Sequence, residues 1–165
     1  METKKVVTRN NEPSNELHEI VCKVHKGLRL EYDEVYYLDY EVNEDTGSID
    51  KEQLVKHYTK SQMDRNKKAL KTSYHVAKGA ASPSGIINFR QRYQISASTF
   101  SIVLGFSKNK ISKIDNEGVK SLPTGRLIKM CVDNKDIVYR YIQVCDTIDF
   151  HKKEEISKRL LDEYY

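Results

Sequence analysis

The sequence predicts an α+β fold: a small antiparallel β-sheet with a long helix in the amino-terminal half, and an all-α arrangement of five helices in the carboxy-terminal half. Three observations carry the prediction. From Glu19 to Val42, apolar and polar residues alternate with the period of a strand. Residues 50 to 76 contain no glycine or proline, so nothing there breaks a helix. From Ser84 to Ile142, apolar residues recur three and four apart, the spacing that lines one face of a helix.

Taken in order, residues 1 to 14 are polar, include Asn10-Asn11-Glu12-Pro13-Ser14, and read as a flexible tail. A sheet-plus-helix domain then spans 15 to 78. Ile20, Cys22 and Val24 alternate with polar partners, and Leu28, Leu30 and Tyr32 do so again after His25-Lys26-Gly27. A third run from Glu34 to Val42 is dense in β-branched and aromatic residues. Turns are expected near Gly27 and Asp33, and the sheet is expected to end at 43–48. Asp50 is the expected cap of a helix over 50–76, whose apolar stripe of Leu54, Tyr58, Met63, Leu70 and Tyr74 is thin. Such a helix docks only partly, against the sheet or a second copy. Gly79-Ala80-Ala81-Ser82-Pro83-Ser84-Gly85 reads as a linker.

A helical domain over 82–149 follows. Its first helix, Ser84 to Tyr93, carries Ile86, Ile87 and Phe89, and two short helices lie within 95–118. Leu122-Pro123 opens a fourth helix with Leu127, Ile128, Cys131 and Val132. Asn134 caps a fifth with Ile137, Val138, Tyr141 and Ile142. Residues 150 to 165, with Ile156, Leu160 and Leu161 at helical spacing, read as an extension of the fifth helix or a fraying tail.

A chain of 165 residues with 38% apolar content suits one domain or two small ones with a modest core. No run approaches a membrane span, and Met1-Glu2-Thr3-Lys4-Lys5 is no signal peptide, so a cytoplasmic protein is expected. Cys22, Cys131 and Cys145 are widely spaced and never form a C-x-x-C pair, which argues against a zinc site or disulfide framework. Cys131 and Cys145 fall on apolar stripes and read as small core residues. Charge is uneven. Residues 15–50 hold three basic and ten acidic side chains, and residues 51–78 hold eight and two. Residues 82–149 hold ten and six. An acidic module therefore precedes a basic half with the electrostatic footprint of a polyanion binder. The acidic module suits a basic or hydrophobic protein partner instead.

The segment Ile95 to Gly118 is the most informative. Ile95, Phe100, Val103, Leu104 and Phe106, then Ile111 and Ile114, give two short helices one buried stripe each, with Gly105 between them. Ser107 is the expected cap of the second helix. Around it, Ser107, Lys108, Asn109, Lys110, Ser112 and Lys113 are polar and basic side chains able to reach phosphate oxygens and base edges in a major groove. The plain alternative is a helical hairpin with a solvated lysine face.

Ile95-Ser96, Phe100-Ser101, Gly105-Phe106-Ser107, Ile111-Ser112 and Ile114-Asp115-Asn116, with Gly118 one residue late, resemble the helix-turn-helix of Cro and the phage repressors, the Xre type. Ala97 or Ser98 stands where that family usually has a glutamine contacting phosphate or base. The order of modules, with Tyr36-Tyr37 in the strand and the run from Asn116 to Ile142, resembles the MqsA or YgiT class of antitoxins. In that class two C-x-x-C pairs hold zinc. Here Leu38 and Glu41 occupy the place of one pair and the earlier pair is missing, so the resemblance implies a zinc-less version with no metal and no cofactor. The family's base-reading asparagine and arginine, either side of an aromatic-serine pair, match Asn109 and Lys113 around Ile111-Ser112, and lysine for arginine loses the bidentate fork.

The five histidines, His18, His25, His57, His75 and His151, lack metal-ligand spacing, and Asn43-Glu44-Asp45-Thr46-Gly47 lacks the spacing of a calcium loop. No P-loop, GxSxG or dinucleotide fingerprint occurs. A non-enzymatic protein is expected. The expected function is an antitoxin: a homodimer repressing its own operon at a palindromic operator in double-stranded DNA, with a cognate toxin bound through Tyr36, Tyr37 and Tyr40. The alternative is a phage or mobile-element regulator without a toxin partner.

Overall fold

The computed structural model describes residues 4–162. The chain is mixed α+β and divides into two compact units, with the boundary between Lys71 and Thr72.

The first unit opens with a short hairpin, β1 (Lys5–Val7) paired antiparallel with β2 (Pro13–Asn15). Over residues 4–14 this replaces the expected flexible tail, whose first three residues lie outside the described part. Asn11 closes the turn in the left-handed region (φ 59°), and the Arg9 amide donates to the buried Asp39 carboxylate at 2.8 Å. A three-stranded antiparallel sheet follows in the order β3 (Leu17–His25), β4 (Leu28–Val42), β5 (Ile49–His57). Lys26 and Gly27 join β3 to β4, both with positive φ (50° and 78°), the two-residue type I′ turn whose twist matches the strands.

Two expectations fail in this sheet. The turn near Asp33 does not exist, because β4 runs on with Asp33 paired to Ile20. The acidic pair that reads as a turn instead makes side-chain ties: Asp33 holds His18 Nδ1 at 2.9 Å and Glu34 holds Lys56 Nζ at 3.2 Å. The helix expected over 50–76 is also wrong in its first part. Residues 49–57 are strand, and Asp50 pairs with Glu41 instead of capping a helix. Ladder pairing of Leu54, Val55 and Lys56 with Tyr40, Asp39 and Leu38 outweighs their helical preference, while Lys51, Glu52 and Gln53 fall within the register shift between Tyr40 and Glu41. The helix proper, α1 (Lys60–Ala77), starts at a capping box. Gln62 N donates to Thr59 Oγ1 at 3.1 Å and Thr59 N to Gln62 Oε1 at 2.8 Å.

Few apolar side chains close this unit. Among the described residues before Lys71, only Leu30, Val35 and Tyr37 are buried hydrophobics. Polar ties supplement them. Glu16, 5% exposed, accepts both guanidinium nitrogens of Arg65 at 2.8 Å and Gln62 Nε2 at 3.1 Å. The Arg65 hydrogen bonds hold the Glu16 carboxyl below its ordinary range against the opposing effect of burial. Where β5 ends, the Asn66 side-chain amide bonds both the N–H and the C=O of Val35, replacing the missing strand.

The second unit is helical: α2 (Pro83–Arg92), α3 (Ala97–Val103), α4 (Lys110–Glu117), α5 (Leu122–Asp133), α6 (Lys135–Val144) and α7 (Phe150–Leu161). Ser82, Ser96, Asn134 and Asp149 each accept a backbone N–H at a helix start. Ile86, Phe100, Ile111, Ile128, Val138 and Ile142, all fully buried, form the centre of one apolar core. Cys131 lies in it, and burial pushes its thiol up to about 11; Cys145, at the end of α6, is buried too.

The expected linker over 79–85 is instead packed structure. Ala80 and Ala81 are each 1% exposed, and Ala81 N donates to Gly125 O at 3.0 Å. A Cβ on Gly125 would lie 2.5 Å from that of Ala80, so small residues are used there for close approach. His75, at the end of α1, bonds the Val119 carbonyl at 2.6 Å. The final segment is neither an extension of α6 nor a frayed tail: Asp149 starts the separate helix α7, whose Ile156 and Leu160 enter the core. Residues 163–165 lie outside the described part. No helix among the described residues is long and apolar enough to cross a membrane.

Candidate nucleic-acid interface

Helices α3 and α4 and the connection between them, residues 104–109, place the polar side chains singled out in the sequence. Ser96 opens α3 by accepting from Thr99 N at 3.1 Å. Within α3, Ser101 is fully buried. Its hydroxyl donates to Ala97 O at 2.8 Å and accepts from Ile111 N at 3.0 Å, in the first turn of α4. One small side chain thereby fixes the two helices against each other, which is why this position needs a residue near alanine in size. Gly105 turns the chain with φ 77° in open space, so its requirement is conformational and not steric.

The expected Ser107 cap is not formed. Ser107 contributes its carbonyl, which accepts from Lys110 N at 2.9 Å, and Asn109 occupies the cap position without a side-chain cap bond. The reason is the tight turn at 108–109, which delays the helix by two residues and satisfies the first amide through the main chain.

Ile111 and Ile114 anchor α4 in the core. A second anchor, not foreseen from the sequence, is an ion pair between Arg90 of α2 and Asp115 of α4, each side chain 14% exposed. Burial raises the Asp115 carboxyl above its ordinary range, and the Arg90 charge opposes that rise only in part. Arg90 Nε and Asp115 Oδ1 make no hydrogen bond among the described residues. A signal was available: Arg90 lies four residues beyond Ile86 on the buried side of α2, and Asp115 follows Ile114 directly.

With Ile111 and Ile114 facing inward, the outer face of α4 carries the remaining residues. Ser107, Lys108, Asn109 and Lys113 are exposed, and Lys110 and Ser112 are half-buried. Ser112 Oγ donates to Asn109 O at 3.0 Å, and Asn116 Nδ2 donates to Ser112 O at 2.9 Å. The acidic side chains of α4 are both engaged, Asp115 with Arg90 and Glu117 with Lys120 at 2.6 Å. Three lysines thus surround the amino-terminal end of α4, where the helix dipole adds partial positive charge. Such an end binds phosphate, and the exposed Asn109 amide beside it can donate and accept at a base edge.

The three tyrosines do not form one patch. Strand alternation puts Tyr37 on the opposite face of β4 from Tyr36 and Tyr40. Tyr37 is 7% exposed and stacks on His57 with centroids 5.8 Å apart. Tyr36 and Tyr40 are half-buried, and Lys56 Nζ sits 4.3 Å above the Tyr36 ring. Lys56 also bridges Glu19 and Glu34, whose hydrogen bonds raise its pKa. Among the described residues, no group of three or more histidine, cysteine or acidic side chains could hold a metal ion. No family model, curated protein or solved structure matches the chain.

Proposed function

We propose that the protein is a DNA-binding regulator that inserts α4 into a major groove. One observation carries this reading: α4 is locked from behind by Ser101, Ile111, Ile114 and Arg90, while its front presents lysines and an uncapped asparagine with no free carboxylate among them. In this role Lys108 and Lys110 contact phosphate, Asn109 reads a base edge, and Lys113 adds charge deeper in the groove. A homodimer on a palindromic operator is the arrangement that suits a single short reading helix, since each half-site alone offers few contacts.

We further propose that the amino-terminal unit binds a protein, on the antitoxin reading a basic toxin. Tyr36 and Tyr40 share a face of β4 with Glu34, and residues 15–50 are strongly acidic, which repels phosphate and attracts a basic partner. Tyr37 drops out of that surface. The test is titration of the full chain against the DNA upstream of its own gene and against a scrambled duplex at several salt concentrations. Tight binding to the first, with affinity falling steeply as salt rises, is the expected result. Equal affinity for both duplexes removes the regulator reading. Expression beside the neighbouring reading frame tests the second part: growth rescue supports a toxin partner, and a harmless neighbour favours a regulator without one.

A further inference from the structure

Among the described residues, one edge of the sheet has no neighbouring strand, and its strand is self-complementary. Strand β3 is the outer strand on one side of the β3–β4–β5 sheet. Its register against β4 shows which backbone groups are unused. His25 and Leu28 close the two-residue turn, so they are a hydrogen-bonded pair, and pairs alternate from there. The odd-numbered residues of β3 therefore bond β4, while His18, Ile20, Cys22 and Val24 direct N–H and C=O outward. The other margin of the sheet is managed differently. A bulge interrupts the β4–β5 pairing between Tyr40 and Glu41, and Asn66 seals β4 beyond the end of β5. Strand β3 has no bulge and no proline, and leaves Ile20 and Val24 67% and 71% exposed. Edges of this kind recruit another strand.

We infer that the partner is a second copy of this chain, joined antiparallel through β3 about a two-fold axis at Val21 to make one continuous six-stranded sheet. The sequence of the strand selects this register. Only the outward-directed, even-numbered residues can bond across the new edge, so any two-fold register pairs even with even. With the axis at Val21 all nine residues overlap, Glu19 faces Lys23 twice by symmetry, Val21 faces Val21, and Ile20 faces Cys22. Moving the axis to Cys22 sets Lys23 against Val21 and His18 against Lys26. Moving it to Lys23 sets two lysines face to face, and moving it to Ile20 leaves Glu19 against Val21. Opposite charges directly across strands stabilise and like charges destabilise, so the Val21 axis wins. Glu19 is half exposed even though Lys56 holds it within the chain, which leaves its carboxylate open to a second lysine.

This arrangement would pair two copies of the DNA-binding unit, yet its test needs no DNA and stands apart from the regulator reading. Sedimentation of the full chain at micromolar concentration is expected to give twice the 19.2 kDa chain mass. The double variant Ile20→Lys, Lys23→Glu alters only exposed side chains, should keep the wild-type circular dichroism and melting, and should weaken the dimer by about tenfold or more. A residue on the axis is a non-hydrogen-bonded pair with its own copy, at a Cα separation of about 4.5 Å, within the disulfide range of about 4.4–6.8 Å. Val21→Cys in a Cys22→Ser background should therefore cross-link on mild oxidation, and it decides the matter should the charged variant fail to fold. A monomeric wild type overturns the proposal and leaves the edge to a different protein. A dimer indifferent to the charged variant, or one that fails to cross-link at position 21, places the contact elsewhere and overturns it equally.

Discussion

The first unit is held by a strand ladder and polar ties, the second by an apolar core. Among the described residues up to Lys71 only Leu30, Val35 and Tyr37 are buried hydrophobics, and the buried Glu16, Asp39 and Gln62 complete the packing through hydrogen bonds. Beyond it, a continuous cluster runs from Ala81 to Leu160. The two units therefore answer to different perturbations. Hydrophobic burial is non-directional and insensitive to pH, whereas a buried carboxylate depends on its charge and its partners.

Two carboxylates sharpen the contrast, because each faces an arginine and their pKa values move in opposite directions. At Glu16 the hydrogen bonds from Arg65 dominate and lower it. At Asp115 burial dominates and raises it. Glu16 makes a bidentate contact and accepts a third bond from Gln62, while Asp115 leaves Oδ1 unbonded. The balance between desolvation and hydrogen bonds to the charged form, not the presence of an arginine alone, sets the sign.

The largest expected effect lies in the second unit. Phe100→Ala, at a fully buried position 5.7 Å from the Phe89 ring, should cost about 3–5 kcal/mol and abolish DNA binding with it, read by thermal melting. A loss under about 1 kcal/mol would mean the core there is looser than its burial indicates. Next is Glu16→Gln, which leaves Arg65 without its anion. Because Arg65 is 37% exposed, the cost is expected at about 1–3 kcal/mol, below that of a fully buried pair.

The pH dependence follows from the same two residues. A depressed carboxyl contributes stability that is present above its ordinary pKa and is lost as pH falls through its folded value. The first unit should therefore weaken on acidification, and Glu16→Gln should flatten that limb. Asp115, raised by burial, has the opposite sign: its contribution is greatest below its ordinary pKa and declines as pH rises through the folded value. Unfolding followed at several acidic pH values, with probes in each unit, checks both signs. The smallest effect is Lys108→Ala, which should leave folding unchanged and reduce the slope of log affinity against log salt by about one unit.

Legibility followed the same division. In the second unit the stripe Phe100, Val103, Ile111 and Ile114, the Asn134 cap and the Leu122-Pro123 start could be read directly, because helical spacing and capping are local. The packing of Ala80 and Ala81 could not, since Gly-Ala-Ala-Ser-Pro-Ser-Gly has the composition of a linker and only contact with Gly125 makes it core. In the first unit β5 was unreadable by period: Lys51-Glu52-Gln53-Leu54-Val55-Lys56 has helix-forming residues, yet Leu54, Val55 and Lys56 are drawn into the sheet by Tyr40, Asp39 and Leu38, and Lys51 to Gln53 lie in a register shift that no local pattern announces. The Thr59-x-x-Gln62 box was the one local signal that would have moved the helix start. At the candidate interface, the identity of the exposed lysines followed from the buried isoleucines, whereas the backbone role of Ser107 depended on a turn that composition does not specify.

Whether α4 reads DNA sequence is decided by Asn109→Ala. Affinities of wild type and variant for upstream and scrambled duplexes, measured at one salt concentration, give the specificity ratio of each. The variant is expected to fold normally and to bind the scrambled duplex as wild type does, while it loses about 1–3 kcal/mol on the upstream site. An unchanged ratio would contradict this, and α4 would then be a solvated basic helix that touches no base.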